Sequence, residues 1–344
     1  MTRITLLALT ALGLAYAVPA EETITGQWII DPSHTVPAAA GGKVQLTLHR
    51  SSEHSQMTSS SALPPEQLRG LSRQQMESAA GSVVHFEIAR EAGTLGCDGY
   101  FRSGSGAGAF TFSPNMKFVS EMRSLGYNGL AAETVFSMAV HDLTTTYVRD
   151  LRALNVAPSS SDELISMSIH NVTINYIREL KNLGLRELTA DHLVSMRIHD
   201  VSSEFVRDLK GMGYNPSVDD LVSLRIHGAT SEFVKQMRNL GFNPTLDQFV
   251  SMRIHDVSFE FVRDLKGMGY NPSADDLVSL RIHGATSEYV KQVKNLGFAP
   301  TLEQLVSMRI HGVTPDYIRK VQSRGIKNLT VDQLVNLRIH GIID

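Results

Sequence analysis

Histidines recur at almost constant intervals from about residue 114 onward, and this periodicity constrains the fold more than any other feature. Eight histidines follow one another at spacings of 29, 29, 28, 28, 28, 28 and 29 residues: His141, His170, His199, His227, His255, His283, His311 and His340. Six of them stand in the tripeptide Arg-Ile-His. Segments 201–256 and 257–312 match at 47 of 56 positions, which indicates a recent duplication of two units. A fixed period of this length predicts a repeat architecture.

Each unit predicts two short helices, as residues 229–256 illustrate. Thr230 is a suitable N-cap for the first helix, and Gly241 would end it in the left-handed conformation that favours glycine. Thr245 and Gln248 have the spacing of a capping box and open the second helix. The apolar positions of the two helices are Phe233, Val234, Met237 and Leu240, followed by Phe249, Val250, Met252 and Ile254.

The same signals recur in the other units. The spacing of the capping box is present at Ser217/Asp220, Ser273/Asp276, Thr301/Gln304 and Thr330/Gln333. In the last unit Pro315 follows Thr314, at the first helical position that proline favours. Val250, Met252 and Ile254 also alternate as in a strand, but the caps and acidic first turns favour a helix. A lone unit buries too little apolar surface to offset the entropy of ordering it. We therefore expect eight helix-turn-helix repeats of 28–29 residues stacked as an α-solenoid.

Residues 21–113 predict a small antiparallel β-domain, so the fold class is α+β. Apolar and polar residues alternate in short runs, as in half-buried strands, at Val44–Leu48, Val84–Ile88, Leu95–Phe101 and Phe110–Phe112. We expect five or six strands, with a short helix around Pro65–Ala79. The run Gly104–Gly108 superficially resembles a dinucleotide-binding fingerprint. Because it lies between two predicted strands and opens no helix, we interpret it as a glycine-rich hairpin.

Residues 1–20 have the layout of a secretory signal peptide. One charge, Arg3, precedes the apolar run Ile4–Leu14, and small-residue cleavage sites end at Ala17 and Ala20. The alternative is an N-terminal membrane anchor, for which the apolar run is shorter than the ~20 residues that a spanning helix needs. We expect a secreted or periplasmic protein with no transmembrane segment in the mature chain. The domains are then the signal peptide 1–20, the β-domain 21–113 and the α-helical repeat domain 114–344.

Charge and motif content argue against several functional classes. The 32 basic and 35 acidic residues give a net charge of -3, whereas a dedicated nucleic-acid binder needs a basic surface. The single cysteine, Cys97, excludes a Cys-rich metal site, and we expect it to be buried. No zinc-peptidase, serine-hydrolase or phosphate-loop motif is present. We expect no catalytic residue, no metal site and no cofactor.

The repeated histidines have two interpretations. A zinc ion needs ligands ~2.0–2.1 Å away, whereas equivalent residues on stacked helices lie ~8–10 Å apart. We therefore expect each histidine to end a helix, close to the negative end of its dipole, and to bond exposed carbonyl groups.

Two rows of basic residues lie on the predicted first helices of the units. The first basic row consists of Arg149, Arg178, Arg207, Lys235, Arg263, Lys291 and Arg319. The second basic row, three residues further on, consists of Arg152, Lys181, Lys210, Arg238, Lys266 and Lys294. These rows could bind an anionic or acidic partner, and the first row is our candidate binding site. The alternative is dipole matching, because acidic residues open the same helices.

The units are similar to a known kind of bacterial repeat. Asp219–Lys235, which reads DDLVSLRIHGATSEFVK, resembles helical repeats of exported or membrane-tethered bacterial proteins. Some of these repeats are appended to sensor metallopeptidases of the antibiotic-responsive antirepressor type. The resemblance covers roughly residues 114–341 and implies an exported repeat protein. The zinc motif of the peptidase is absent, so the resemblance implies no catalytic role.

These observations favour an exported, non-enzymatic binding scaffold. Its partner would be a protein or an anionic envelope polymer, bound through the repeat surface, and not a nucleic acid. One alternative is a structural protein that assembles end to end through its repeats. Another is a hydrolase with an unrecognised site in the β-domain.

The leader generates the first testable prediction. We expect N-terminal sequencing of the exported protein to begin at Val18 or Glu21, because signal peptidase cleaves after small residues. A mature chain that still begins at Met1 would contradict the prediction.

Overall fold

The computed structural model describes residues 23–31, 42–51, 56–326 and 328–343. The predicted signal peptide and its cleavage sites lie outside these residues. The described residues form an antiparallel sheet followed by a repeating array of helices, which confirms the α+β fold with a helical-repeat region. No helix within the described ranges is both long and apolar enough to cross a membrane.

Six strands form one sheet in the order β3-β2-β1-β6-β5-β4. The strands are β1 Ile24–Ile30, β2 Val44–Ser51, β3 Gln56–Leu63, β4 Ser82–Ala89, β5 Gly93–Arg102 and β6 Ser105–Pro114. All neighbours are antiparallel. The expected number of strands is confirmed, but β3 was not foreseen because its serine-rich sequence has little apolar alternation. The helix expected around Pro65–Ala79 is a 3-10 turn, Pro65–Gln67, and a short helix α1, Arg73–Glu77.

The glycine run forms the β5–β6 hairpin, as expected, and makes room for a tryptophan. Trp28 on β1 pairs with Gly108 on β6, which pairs with Gly99 on β5. The Trp28 ring lies against Gly99 and reaches Phe86 on β4, with the ring centroids 5.0 Å apart. A methyl group on Gly99 would come within 2.5 Å of the indole. The glycines therefore serve aromatic packing on the buried face of the sheet.

Within the described residues, sixteen helices of nine residues follow the sheet in eight pairs. They are α2 Met116–Ser124, α3 Ala132–Val140, α4 Thr145–Ala153, α5 Ser161–Ile169, α6 Ile174–Asn182, α7 Ala190–Ile198, α8 Ser203–Gly211, α9 Val218–Ile226, α10 Ser231–Asn239, α11 Leu246–Ile254, α12 Phe259–Gly267, α13 Ala274–Ile282, α14 Ser287–Asn295, α15 Leu302–Ile310, α16 Pro315–Ser323 and α17 Val331–Ile339. Even numbers denote the first helix of each pair and odd numbers from α3 onward the second. All five predicted capping boxes are present. Gly241 has φ +83° directly after the C-cap of α10, as predicted.

The chain divides into two compact units. The first contains the described residues up to Asp150 together with Ser159–Ser168, and the second contains Leu151–Pro158 and Ile169 onward. In the second unit, the first helices α6 to α16 stack on one another, and so do the second helices α7 to α17. The core lies between these two layers, where Val234, Phe249 and Met252 are fully buried. The expected stacking of units is confirmed.

The near-identity of the two 56-residue blocks generates the second prediction. Deleting residues 257–312 joins Asp256 to Val313 and recreates a junction of the same kind as Asp256–Val257. Because each unit contacts only its neighbours, we expect circular dichroism to lose only the helical signal of the deleted helices α12 to α15 and to show a cooperative thermal transition. An unfolded deletion variant would contradict a nearest-neighbour array.

Candidate functional site

Seven large apolar side chains stand in solvent at equivalent positions of consecutive units. Each is the last residue of a second helix and exposes 50–55% of its surface: Ile169, Ile198, Ile226, Ile254, Ile282, Ile310 and Ile339. We call this row the isoleucine ladder. Single exposed apolar residues are ordinary on protein surfaces, but a contiguous set marks an interaction site more often than not.

The exposure of the ladder follows from helical geometry. Phe249 and Met252 face the core and are fully buried. Ile254 lies five and two residues after them, which at about 100° per residue places it on the opposite side of α11. Of the apolar positions predicted for this helix, Ile254 therefore does not face the core, since 54% of it is exposed. Val250 is half-buried.

An acidic row accompanies the ladder at the other end of the same helices. It consists of Asp191, Asp219, Asp247, Asp275, Glu303 and Asp332, all exposed and all in the first turn. In α11, Asp247, Val250 and Ile254 are spaced i, i+3 and i+7, so they share one face. The helices α7, α9, α11, α13 and α15 thus each present an acidic residue, a half-buried valine and an exposed isoleucine along the outer face; in α11 the valine is Val250.

At four positions of the ladder, the arginine that precedes the isoleucine ties one unit to the one before it. Arg225 Nε donates a hydrogen bond to the carbonyl oxygen of His199 at 3.3 Å, and its guanidinium carbon lies 5.5 Å from the centre of the Phe205 ring. Arg225 also pairs with Asp200 at 2.6 Å. The corresponding backbone bonds are Arg197 to His170, Arg281 to His255 and Arg309 to His283, at 3.2, 3.4 and 3.2 Å. These arginines are structural.

The histidines end the second helices, as expected, but their contact is a backbone one. Each follows the last residue of its helix, and the carbonyl oxygens named above accept the arginine of the next unit. In the described part of the chain, the imidazole rings of these eight histidines make no hydrogen bond to a carbonyl group. At His170, His199, His255 and His283 the guanidinium of the next unit bonds the carbonyl group instead. No group of three or more His, Cys, Asp or Glu side chains that could hold a metal ion is found among the described residues.

Three residues of the second basic row cap helices of the preceding unit, whereas Lys181 and Lys210 bond the Arg186 carbonyl and the Asn215 side chain. Lys294 Nζ donates to the carbonyl oxygen of Met268, the C-cap of α12, at 2.5 Å, and lies 5.2 Å from the centre of the Tyr270 ring. Arg238 and Lys266 make the equivalent bonds to Met212 and Leu240. Positive charge at the C-terminal end of a helix matches its dipole. Dipole matching therefore accounts for these three residues, and it acts between units.

The first basic row is exposed at all seven positions, and four of its members form ion pairs within the chain. The pairs are Arg149–Glu121 at 2.7 Å, Lys235–Asp208 at 2.9 Å, Arg263–Asp264 at 3.6 Å and Arg319–Asp316 at 2.5 Å. Hydrogen bonding to Asp208 raises the pKa of Lys235, and the same bond lowers the pKa of Asp208. No ion pair is present at Arg178, Arg207 or Lys291 within the described ranges. The positive charge of the first basic row is thus partly neutralised by acidic residues of the same chain.

The β-domain contains fewer candidate functional groups than the repeats. His85 Nδ1 and Asp98 Oδ1 lie 2.8 Å apart on the exposed face of the sheet, and this hydrogen bond raises the pKa of His85. Cys97 is fully buried, as expected, and burial raises its pKa to about 12, so its thiol stays protonated. A cavity of about 600 Å³ on the sheet has His49 and Arg50 in its described lining but no carboxylate. These groups do not converge on one point.

Comparison with known proteins adds no relative: no protein family, curated protein or solved structure matches this chain.

The two basic rows generate the third prediction, in a matched pair on α14. We expect Lys294→Met to lower the free energy of unfolding by about 1 kcal/mol, because it leaves a helix carbonyl without its charged donor. Lys291→Met removes an exposed charge and should change that energy by about 0.5 kcal/mol or less. Urea denaturation followed by circular dichroism measures both. Equal effects would mean that the second row has no special structural role.

Proposed function

We propose that this protein is an exported, non-enzymatic scaffold that binds another macromolecule through the isoleucine ladder of its repeats. The observation that carries the proposal is the half-exposure of isoleucine at seven equivalent positions. Burial of exposed apolar surface against a partner contributes about 25 cal/mol of binding free energy for every Å² removed from water. A strip of seven is a surface on which that energy is available to binding.

A comparison between the units supports the assignment. Core positions differ between the duplicated blocks: Met237 corresponds to Val293, and Phe249 corresponds to Leu305. The ladder position is isoleucine in every unit from α5 to α17, including the units outside the duplication. Packing alone explains variation in the core, where compensating changes of volume are tolerated. It gives no reason to keep a large apolar residue in solvent.

The chemistry of the surface favours a protein over an anionic polymer. Isoleucine offers no hydrogen bond to sugar or phosphate groups, and the second helices carry the acidic row on the same face. An anionic polymer would need the first basic row, which is partly paired with acidic residues of its own chain. The partner is therefore a protein with an apolar contact surface.

The fourth prediction compares the two surfaces. The test variant carries Ile226→Gln, Ile254→Gln, Ile282→Gln and Ile310→Gln; the control carries Arg207→Gln, Lys235→Gln, Arg263→Gln and Lys291→Gln. Each change is at an exposed position, so stability should shift by about 0.5 kcal/mol or less per site. We expect the isoleucine variant to lose bound protein in quantitative pull-downs from an envelope extract, while the control retains it.

An apolar fluorescent probe provides an independent measurement. The wild-type protein and the control should bind bis-ANS equally, and the isoleucine variant should bind less. Undiminished capture by the isoleucine variant, with loss in the control, would move the binding surface to the first basic row.

A further inference from the structure

We infer that the isoleucine ladder binds a second copy of this chain, laid side by side and in register. The inference rests on the proposed function, because it names the partner of the same surface. It is a lateral contact along the whole array, which leaves the ends of the repeat region free.

The regular spacing of the isoleucines along the ladder indicates which kind of partner fits it. The second helices α7 to α17 stack at a constant repeat, and equivalent residues of stacked helices lie ~8–10 Å apart. A partner that contacts every isoleucine in the same way needs contact groups at the same interval. A second copy has this interval by construction, over the same number of units.

The outer face of the second helices is complementary to itself under a two-fold rotation. At 1.5 Å per residue, Asp247, Val250 and Ile254 lie about 4.5 and about 6 Å apart along α11. A two-fold axis parallel to the ladder, between the valine and isoleucine positions, makes facing helices antiparallel. Ile254 of one copy then packs on Val250 of the other, and Asp247 lies opposite the end of the facing helix, where His255 and Asp256 stand; Asp256 is paired with Arg281 of its own chain.

The charges fit this arrangement. Within the described ranges no ion pair is present at Asp219, Asp247 or Glu303, so these carboxylates are available to a partner. The facing helix end presents an imidazole, which can donate a hydrogen bond to a carboxylate. The neighbouring arginines are directed toward the preceding unit by their bonds to carbonyl groups. A net charge of -3 adds little general repulsion between two copies.

The area is sufficient. Seven isoleucines that each expose about half of their surface, with the half-buried residues beside them, form a strip comparable with the ~800 Å² per partner that stable complexes bury. Contacts of this size that are centred on apolar residues support stable dimers.

Sedimentation velocity of the purified full chain tests the association. We expect a dimer at micromolar concentration. The variant with Ile226→Gln, Ile254→Gln and Ile282→Gln should raise the dimer dissociation constant about 100-fold or more. The control with Arg207→Gln, Lys235→Gln and Arg263→Gln should leave it unchanged, and circular dichroism should show all three proteins folded. A wild-type monomer throughout the micromolar range, or a dimer indifferent to the isoleucine changes, would overturn the inference.

Cysteine crosslinking tests the register. Val250→Cys and Ile254→Cys are made in separate chains carrying tags of different size, mixed and oxidised with copper–phenanthroline; Cys97 is buried and does not compete. Disulfides require Cα atoms about 4.4–6.8 Å apart, so the mixed pair should crosslink more than either variant alone. Crosslinking no greater than that of an Arg207→Cys and Lys235→Cys mixture would overturn the register.

These experiments distinguish a failure of the self-association proposal from a failure of the binding-scaffold proposal. If the chain is monomeric but the isoleucine changes still abolish capture of another protein, self-association is wrong and the binding scaffold stands. If the isoleucine changes affect neither, the ladder is not a binding surface and both proposals fall.

Discussion

The repeat region depends on one contact, the bond from an arginine of one unit to the C-terminal carbonyl of the second helix in the unit before it. Helices of nine residues are too short to be stable alone in water, so their stability comes from packing and from satisfied ends. Arg225 supplies both, since its guanidinium bonds the His199 carbonyl and covers the Phe205 ring. Lys294 does the same for the first helices at Met268. Each unit is completed by its successor, which explains why the units form an array.

The features that the sequence predicts best are those set by neighbouring residues. Thr245 and Gln248 form the expected capping box, and Gly241 adopts the expected left-handed conformation, because both depend on a few adjacent residues. The exposure of Ile254 could not be read in the same way. Val250, Met252 and Ile254 are all apolar, and which of them faces the core is decided by the direction from which the other layer packs. The strand β3 was missed for a related reason, since it is paired by its backbone rather than marked by apolar side chains.

The same contrast between local features and features set by tertiary packing applies to the candidate site. A sequence does not say which of its charged residues are already engaged in contacts: Lys294 and Lys291 look alike, yet Lys294 caps a helix and Lys291 is exposed. The acidic residues Asp208 and Asp264 that pair with the first basic row are likewise placed there by the fold. After these contacts are assigned, the exposed apolar residues that recur from unit to unit are the isoleucines of the second helices. The resemblance to repeats of sensor metallopeptidases stays a prediction, as does export.

The tripeptide Arg-Ile-His joins the stability of the array to the size of its surface. The arginine binds the preceding unit, the isoleucine extends the ladder, and the backbone of the histidine receives the arginine of the next unit. Adding a unit therefore lengthens the stack and the apolar strip together and requires no further kind of contact. On the proposed function, contacts along one array act jointly, so binding strength rises steeply with the number of units engaged. Duplication of a 56-residue block added two isoleucines of the ladder at once, and under that proposal copying units is a direct route to tighter binding.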